Sequence, residues 1–410
     1  MGSGNGRKFS GALIFAAVCA AATVSRAVDP GVRPGPLSAG GAVAGVNPQY
    51  FANVRRAFNQ VYSIAGDLES GAGLGPRFSG TSCGGCHAYP AAGGASPKEN
   101  PQLAMAAAHG ARNAIPPFLK PDGPVLAVRS LESGEVLPLF TVTGRSDAYG
   151  CAVPQPDFSN PARLGFRIPT PLFGAGLIDN IPDAAILANR DSRRIEKEAL
   201  GIGGRPSLDS TGRIGRFGWQ AQHHSLAGFA EEAYRIEMGV RGARGSYDPA
   251  CSALYQAAYL DPNNSTSYDE SEQSFTFLVT EYMRFLDAPH QLSGSAGRGR
   301  RLFDSIGCAL CHTASLHTGK ESDLASLNDR EAPLFSDLLL HRMGAKPSDE
   351  FRTAPLWGLG QRVFLLHDGR TTDLAAAIRD HGGEADQVIA RFERLSPAEQ
   401  QELLNFLRSL

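Results

Sequence analysis

Two short stretches carry residue types from which chemistry can be built: Ser82-Cys83-Gly84-Gly85-Cys86-His87 and Gly307-Cys308-Ala309-Leu310-Cys311-His312. In Cys-x-x-Cys-His the two thiols add to the vinyl groups of one haem, and the adjacent His becomes an axial ligand of its iron. One copy is a modest signal, and two are a strong one. The competing reading is a four-cysteine zinc site or two unrelated pairs, but nothing else in the chain has the spacing of a zinc ribbon. The spacing therefore predicts two covalent c-type haems, one on Cys83, Cys86 and His87 and one on Cys308, Cys311 and His312.

The elements that must position these motifs come next. The chain has 410 residues, enough for two or three domains, and a net charge of −2 with no basic block, which argues against a nucleic-acid partner. Gly (47) and Pro (27) are abundant but scattered, which fits a loop-rich globular protein. Arg7 and Lys8 precede the apolar run Gly11–Val24, and Ser25-Arg26-Ala27 supplies small residues for cleavage, so residues 1–27 read as a signal peptide. The body is then expected in the periplasm, and the protein is not integral to the membrane if the signal is cleaved. Cys19 lies in the apolar run. Cys151 and Cys251 remain as a candidate disulfide whose geometry sequence leaves open; closing a loop of about 100 residues would contribute roughly 4–5 kcal/mol.

Residues 28–46 are Pro/Gly/Ala-rich and read as a flexible leader. From Asn47, apolar Tyr50, Phe51, Val54 and Phe58 fall at helical spacing. Residues 88–123 read as loop, 124–145 as a small hairpin, and Glu270–Leu286 and Pro397–Leu410 as helices. Two echoes suggest a tandem duplication: Phe166-Arg-Ile-Pro-Thr-Pro-Leu-Phe-Gly against Phe351-Arg-Thr-Ala-Pro-Leu-Trp-Gly, and Trp219…Leu226 against His367…Leu374. The expected organisation is a haem domain with an insertion over 47–291, a linker over 292–298, and a cytochrome c domain over 299–410. The fold class is mainly α, two cytochrome c-like domains in tandem, with a large loop-rich insertion and a minor hairpin in the first.

Across about Asn47–Leu410 the blocks SCGGCH, RIPTPLFGAGLIDNIPD, GRFGWQAQHHSL, EAYRIEMGV, CALCHT, FSDLLLHRMG, FRTAPLWGLG and LLHDGRTTDLAAAIRDHGGEA resemble the di-haem oxidoreductase family of thiol oxidoreductases and peroxidases, which is similar to the bacterial di-haem cytochrome c peroxidases. The resemblance implies a division of labour. The C-terminal haem passes electrons and is six-coordinate, with His381 at the position where peroxidases commonly carry Met; Met343 is the rival ligand, and helix capping is the other role open to His381. The N-terminal haem handles peroxide, with Glu237 of EAYRIEMGV as acid/base. Trp219 matches an indole between the haems, where it relays electrons or simply fills the core.

This sequence also departs from the peroxidase pattern. The peroxidase Gln near the acid/base falls at Phe229. Gly360-Gln361-Arg362-Val363-Phe364 lacks the Thr and Pro that help hold an inter-haem calcium, leaving calcium doubtful and Arg362 as an alternative positive charge. The sixth ligand of the first haem stays open among His109, His223, His224 and water.

The resulting expectation is a periplasmic di-haem c-type oxidoreductase with peroxidase-like chemistry, electrons entering at the C-terminal haem and used at the N-terminal one. Its partners would be a small cytochrome or cupredoxin and peroxide or another small molecule. The alternatives are a non-catalytic electron-transfer cytochrome, or an oxidase of a thiol or of a partner protein's side chain.

Overall fold

A computed structural model describes residues 1–2, 26–34, 40–62, 74, 77–108, 115–141, 155–209, 211–239, 275–290 and 297–410. Most of the signal segment, His109, Cys151, Cys251, the start of the Glu270–Leu286 helix and most of the linker lie outside the described residues. The chain is mainly helical with a few small antiparallel sheets. The first half holds α1 (Pro48–Phe58), α2 (Cys83–Cys86), α3 (Pro101–Ala108), α4 (Ala175–Asp179), α5 (Asp183–Asp191), α6 (Arg194–Ala199), α7 (Leu226–Glu237) and α8 (Phe275–Phe285). The second holds α9 (Arg298–Ile306), α10 (Leu374–Arg379), α11 (Asp386–Glu393) and α12 (Pro397–Ser409). No described helix is long and apolar enough to cross a membrane.

Local chemistry explains where these helices start. Asn47 Oδ1 accepts from the Gln49 and Tyr50 amides at 2.8 and 3.1 Å, and Pro48 opens α1 where its missing N–H costs nothing. Ser396 and Glu399 form a capping box ahead of Pro397 in α12. Helix α3 is an addition to the expected loop over 88–123. Its PQLAMAAA run has the best helix former at four positions, with Pro only at its start.

Each half buries its own set of helix contacts. In the first, α8 packs on α1, α4 and α7, burying Val54, Phe58, Leu278 and Tyr282. In the second, α9 crosses α12 over Gly299, where a Cβ would stand 2.2 Å from the Glu402 carbonyl oxygen. A larger residue there would force the helices apart and open the Phe303–Phe406 contact (5.5 Å between ring centroids). Gly307, at φ 108°, turns the chain from α9 directly into Cys308.

The expected hairpin is present and extended. Strand β2 (Ala127–Ser130) pairs with β3 (Val136–Leu137) and with β5 (Leu164–Arg167), while β1 (Arg77–Phe78) pairs with β4 (Phe140–Thr141). Farther on, β6 (Leu316–His317) pairs with β7 (Glu331–Ala332), and β8 (Leu340–Arg342) with β9 (Glu350–Arg352).

The leader is not free. Asp29 accepts from Arg408 Nε and Nη2 at 2.8 and 2.7 Å, and from the Leu374 amide at 2.7 Å. Arg33 exchanges backbone and side-chain bonds with Gly360, Gln361 and Ser409, and Val43 donates to Phe285. Composition suggested flexibility, but one buried ion pair and carbonyls left over at the ends of α12 and the 359–361 turn hold the segment down.

Hydrogen bonds to Arg408 and two amides outweigh burial and hold the Asp29 carboxyl below its ordinary value, so its contribution is complete above the unfolded carboxylate range and is lost as pH falls through the lowered folded value. Asp29→Ala should destabilise the protein by about 3 kcal/mol, the low end for removing one partner of a buried pair. Urea unfolding should show that loss near neutrality and a much smaller one under acid conditions. Equal losses at both would exclude the ion pair as its cause.

Candidate haem cavities

Each cysteine pair lines its own cavity. The first, of about 180 Å³, is bounded by Cys83, Cys86 and His87, with Trp219, Phe229 and Glu237 opposite. The second, of about 420 Å³, is bounded by Cys308, Cys311 and His312, with His381, Met343 and Trp219 among its other walls. Among the described residues no cluster joins the two pairs, so a shared four-cysteine zinc site is not formed. Burial pushes the Cys83 and Cys308 thiols up to about 12 and raises Cys86 and Cys311 as well.

The two histidines are set in the same way. His87 Nδ1 donates to the Gly94 carbonyl at 3.1 Å, and His312 Nδ1 to the Phe335 carbonyl at 3.0 Å. A carbonyl only accepts, so the proton sits on Nδ1 and the lone pair on Nε2, the form an iron takes. Burial holds both imidazoles down at about 4, neutral at physiological pH. A phenylalanine edge supports each ring, Phe58 for His87 and Phe303 for His312, both with centroids at 6.3 Å.

His381 follows α10 and donates from Nδ1 to Ala377 O at 2.7 Å, which likewise leaves Nε2 as the lone-pair nitrogen. Its ring centroid lies 6.4 Å from that of His312, with the ring planes 70° apart. That gap matches one metal ion with two metal–nitrogen bonds of about 2 Å each, once the depth of the two rings is added. Met343 lines the same cavity, its amide donating to Asp349 O at 2.8 Å.

Glu237 ends α7 and lines the first cavity. Desolvation, with help from Glu232 and against Arg129, raises its carboxyl to about 7. Its backbone carbonyl accepts from the Ser79 and Gly80 amides, tying the distal helix to the segment that leads into Cys83. Phe229 presents an apolar ring to this cavity. His223 contacts Glu232 and His224 contacts Asp209, and neither lines the cavity.

Trp219 borders both cavities, with Ile168 and Pro169. Its indole N–H donates to Ile168 O at 2.8 Å. On the second-cavity side stands His367, centroid 6.3 Å away, which stacks on Phe351 at 4.0 Å, and Phe351 in turn carries the Arg167 guanidinium at 4.7 Å.

The family model described as "Di-haem oxidoreductase, putative peroxidase" matches residues 121–410. The chain belongs to the di-haem oxidoreductase family. Haem is accordingly the cofactor class for which the cavities must be judged, and they fit. Each offers two neutral thiols, a neutral histidine with its proton on Nδ1 and largely apolar walls, and the second adds an enclosed Arg362 Nε without a hydrogen-bond partner among the described residues.

No curated protein matches the chain. Among solved structures, a Kuenenia stuttgartiensis hydrazine synthase pressurised with xenon aligns with TM-score 0.42 and 13% identity over 99% of this chain and 100% of its own. A MauG-like protein associated with microbial copper homeostasis aligns with TM-score 0.29 and 16% identity over 58% of this chain and 89% of its own.

Several residues of this di-haem oxidoreductase escape sequence reading. Asp337 and Glu384 accept from the two nitrogens of His341 at 2.9 and 2.8 Å, keeping it an imidazolium beside Cys311. Both nitrogens being spent as donors, His341 is no metal ligand. Arg167 and Arg352 occupy matching places in the Phe-Arg echo, a signal that could have marked both.

Infrared difference spectra taken across neutral pH should show one carboxyl titrating near 7. In Glu237→Gln this band should be missing. Its survival would assign the titration to another acid.

Proposed function

We propose that this chain is an exported di-haem c-type oxidoreductase with peroxidase-like chemistry, built from two cytochrome c-like units in tandem. One observation carries the division of labour. Each unit places a helix seven residues after a residue of the inter-cavity wall: α7 after Trp219 and α10 after His367. Seven residues into that pattern from the helix start stands His381 in the second unit but Ala233 in the first, and both line their cavities. Alanine has no donor atom. The matching position is therefore a ligand in one unit and free space in the other, with Glu237 one turn farther along α7.

When bound, the haems would supply one-electron redox chemistry and peroxide cleavage. His87 would hold the iron in the first cavity, and His312 with His381 in the second, while Cys83, Cys86, Cys308 and Cys311 would tether the two groups. A second imidazole in place of a thioether favours the oxidised state and suits an electron-passing haem. Glu237, its carboxyl raised to about 7, would move a proton to or from a peroxide admitted to the first cavity. Phe229 keeps that side of the cavity apolar, which helps hold the carboxyl protonated. Trp219, fixed by its bond to Ile168 O, offers an electron a short path through the shared wall.

Electrons would come from a small cytochrome or cupredoxin at the second haem, and peroxide or another small molecule would react at the first. The protein would work in the periplasm, where c-type haem is attached. Calcium finds little support: the Leu359 and Arg362 carbonyls already accept from Arg408 Nη1 at 3.3 and 3.0 Å, bringing a buried cation to the segment that would hold the ion.

Electron paramagnetic resonance on the isolated protein, with peroxide titration, tests the reading. A high-spin ferric signal that peroxide abolishes supports it, whereas two low-spin signals indifferent to peroxide would make the protein an electron carrier. Glu237→Gln should slow peroxide reduction by about a hundredfold or more, and an unchanged rate removes Glu237 from the chemistry. His381→Ala should turn the second signal high-spin; no change would transfer the role to Met343.

A further inference from the structure

Two guanidiniums in the wall of the second cavity have no carboxylate of their own among the described residues. Arg352, at the end of β9, is 6% exposed; its Nε donates to Gly218 O at 3.0 Å and its Nη1 to Thr353 O at 3.4 Å. Arg362 Nη2 donates to the Pro355 and Trp357 carbonyls at 2.5 and 3.3 Å, while its Nε is enclosed without a hydrogen-bond partner among the described residues. The acid that Arg352 senses is Asp337. That carboxylate is already committed, one oxygen to His341 Nε2 at 2.9 Å and the other to the Leu339 amide at 3.0 Å.

Physical chemistry makes this arrangement costly as it stands. Burial pushes both guanidiniums down to about 10, and for Arg362 the Arg352 charge adds to the effect. Neutral carbonyls satisfy some N–H groups but balance no charge, so a buried Arg352 and a half-buried Arg362 facing one cavity are stabilised by an anion placed before them. The neighbouring Arg370 differs, since it is exposed and bonded to Asp368 at 2.9 Å. The planar fork of arginine matches a carboxylate or a phosphate. Both arginines line the cavity of Cys308, Cys311 and His312.

We propose that Arg352 and Arg362 receive the two carboxylates of the haem in this cavity and thereby raise its reduction potential. The inference rests on the reading above that this cavity holds a c-type haem. The Arg352 amide donates to Trp219 O at 2.8 Å, so the anchor belongs to the wall between the cavities. Removing a positive charge beside these carboxylates disfavours the reduced, more negative state. The groups left unneutralised would then take up a proton on reduction.

The test is an optical redox titration of the full-length holoprotein, as wild type and as Arg352→Gln, Arg352→Lys and Arg362→Gln, with haem content measured on each. The glutamine variants should keep two haems per chain and the low-spin signal of the second haem. Its midpoint potential should fall and become newly dependent on pH around neutrality, while Arg352→Lys stays near wild type. If Arg352→Gln does not fold, Arg362→Gln decides alone. Unchanged potential and pH dependence with both haems retained would overturn the anchor, as would a wild-type potential that falls as phosphate is added while the glutamine variants ignore it, which would make the arginines a site for a free anion. A wild type with no haem on Cys308 and Cys311 is a different failure, that of the underlying reading.

Discussion

The wall between the two cavities is held by an exchange of backbone hydrogen bonds. The Ile168 amide, from the first Phe-Arg echo, donates to His367 O, and the Arg352 amide, from the second, donates to Trp219 O, both at 2.8 Å. Each half of the chain thus fixes the loop of the other. The loops themselves match: Phe217 bridges His223 around Trp219, and Leu365 bridges Thr371 around His367. With four backbone groups spent this way, the indole and imidazole rings have little freedom, and the cavities on either side inherit a common, rigid boundary. Displacing either loop would leave buried amides unpaired, at about 1–3 kcal/mol each.

One physical cause sets nearly every protonation state around that wall. Removal from water disfavours charge, so the same burial that keeps His87, His312 and His381 neutral keeps four thiols protonated and lifts Glu237 toward neutrality. His341 is the exception, and two carboxylates explain it. The arginines cannot lose their protons within the physiological range, so burial leaves them charged and seeking anions. A set of neutral ligands beside unneutralised cations is the electrostatic profile that a group with a metal centre and a negatively charged edge would complete.

Much of this was legible in the sequence because its signals are local. Cys-x-x-Cys-His is a local motif, and Asn47, Pro48 and the α1 periodicity are local too. The Phe-Arg and seven-residue echoes were legible as well, and residues of both line the two cavities. What stayed hidden depends on distant pairing. Asp29 and Arg408 stand at opposite ends of the chain, and a Pro/Gly-rich composition gave no hint that the leader is bonded down. The His341 clamp draws on residues before and after it that no spacing rule connects. Helix α3 was missed for another reason: proline and glycine around it obscured an alanine run with strong intrinsic preference.

Both cavities have a histidine bonded through Nδ1 to a backbone carbonyl and a phenylalanine beside its ring. They differ where α7 and α10 end: His381, just past α10, lines the second cavity, and Ala233 with Glu237 of α7 lines the first. A carrier of electrons has no physical use for that difference, because two saturated irons exchange electrons with less reorganisation than a saturated and an open one. A catalyst does, since a substrate must displace nothing to reach an open position and needs a proton donor beside it. The asymmetry between α7 and α10 is therefore a better guide to chemistry than the motifs that bind the cofactor.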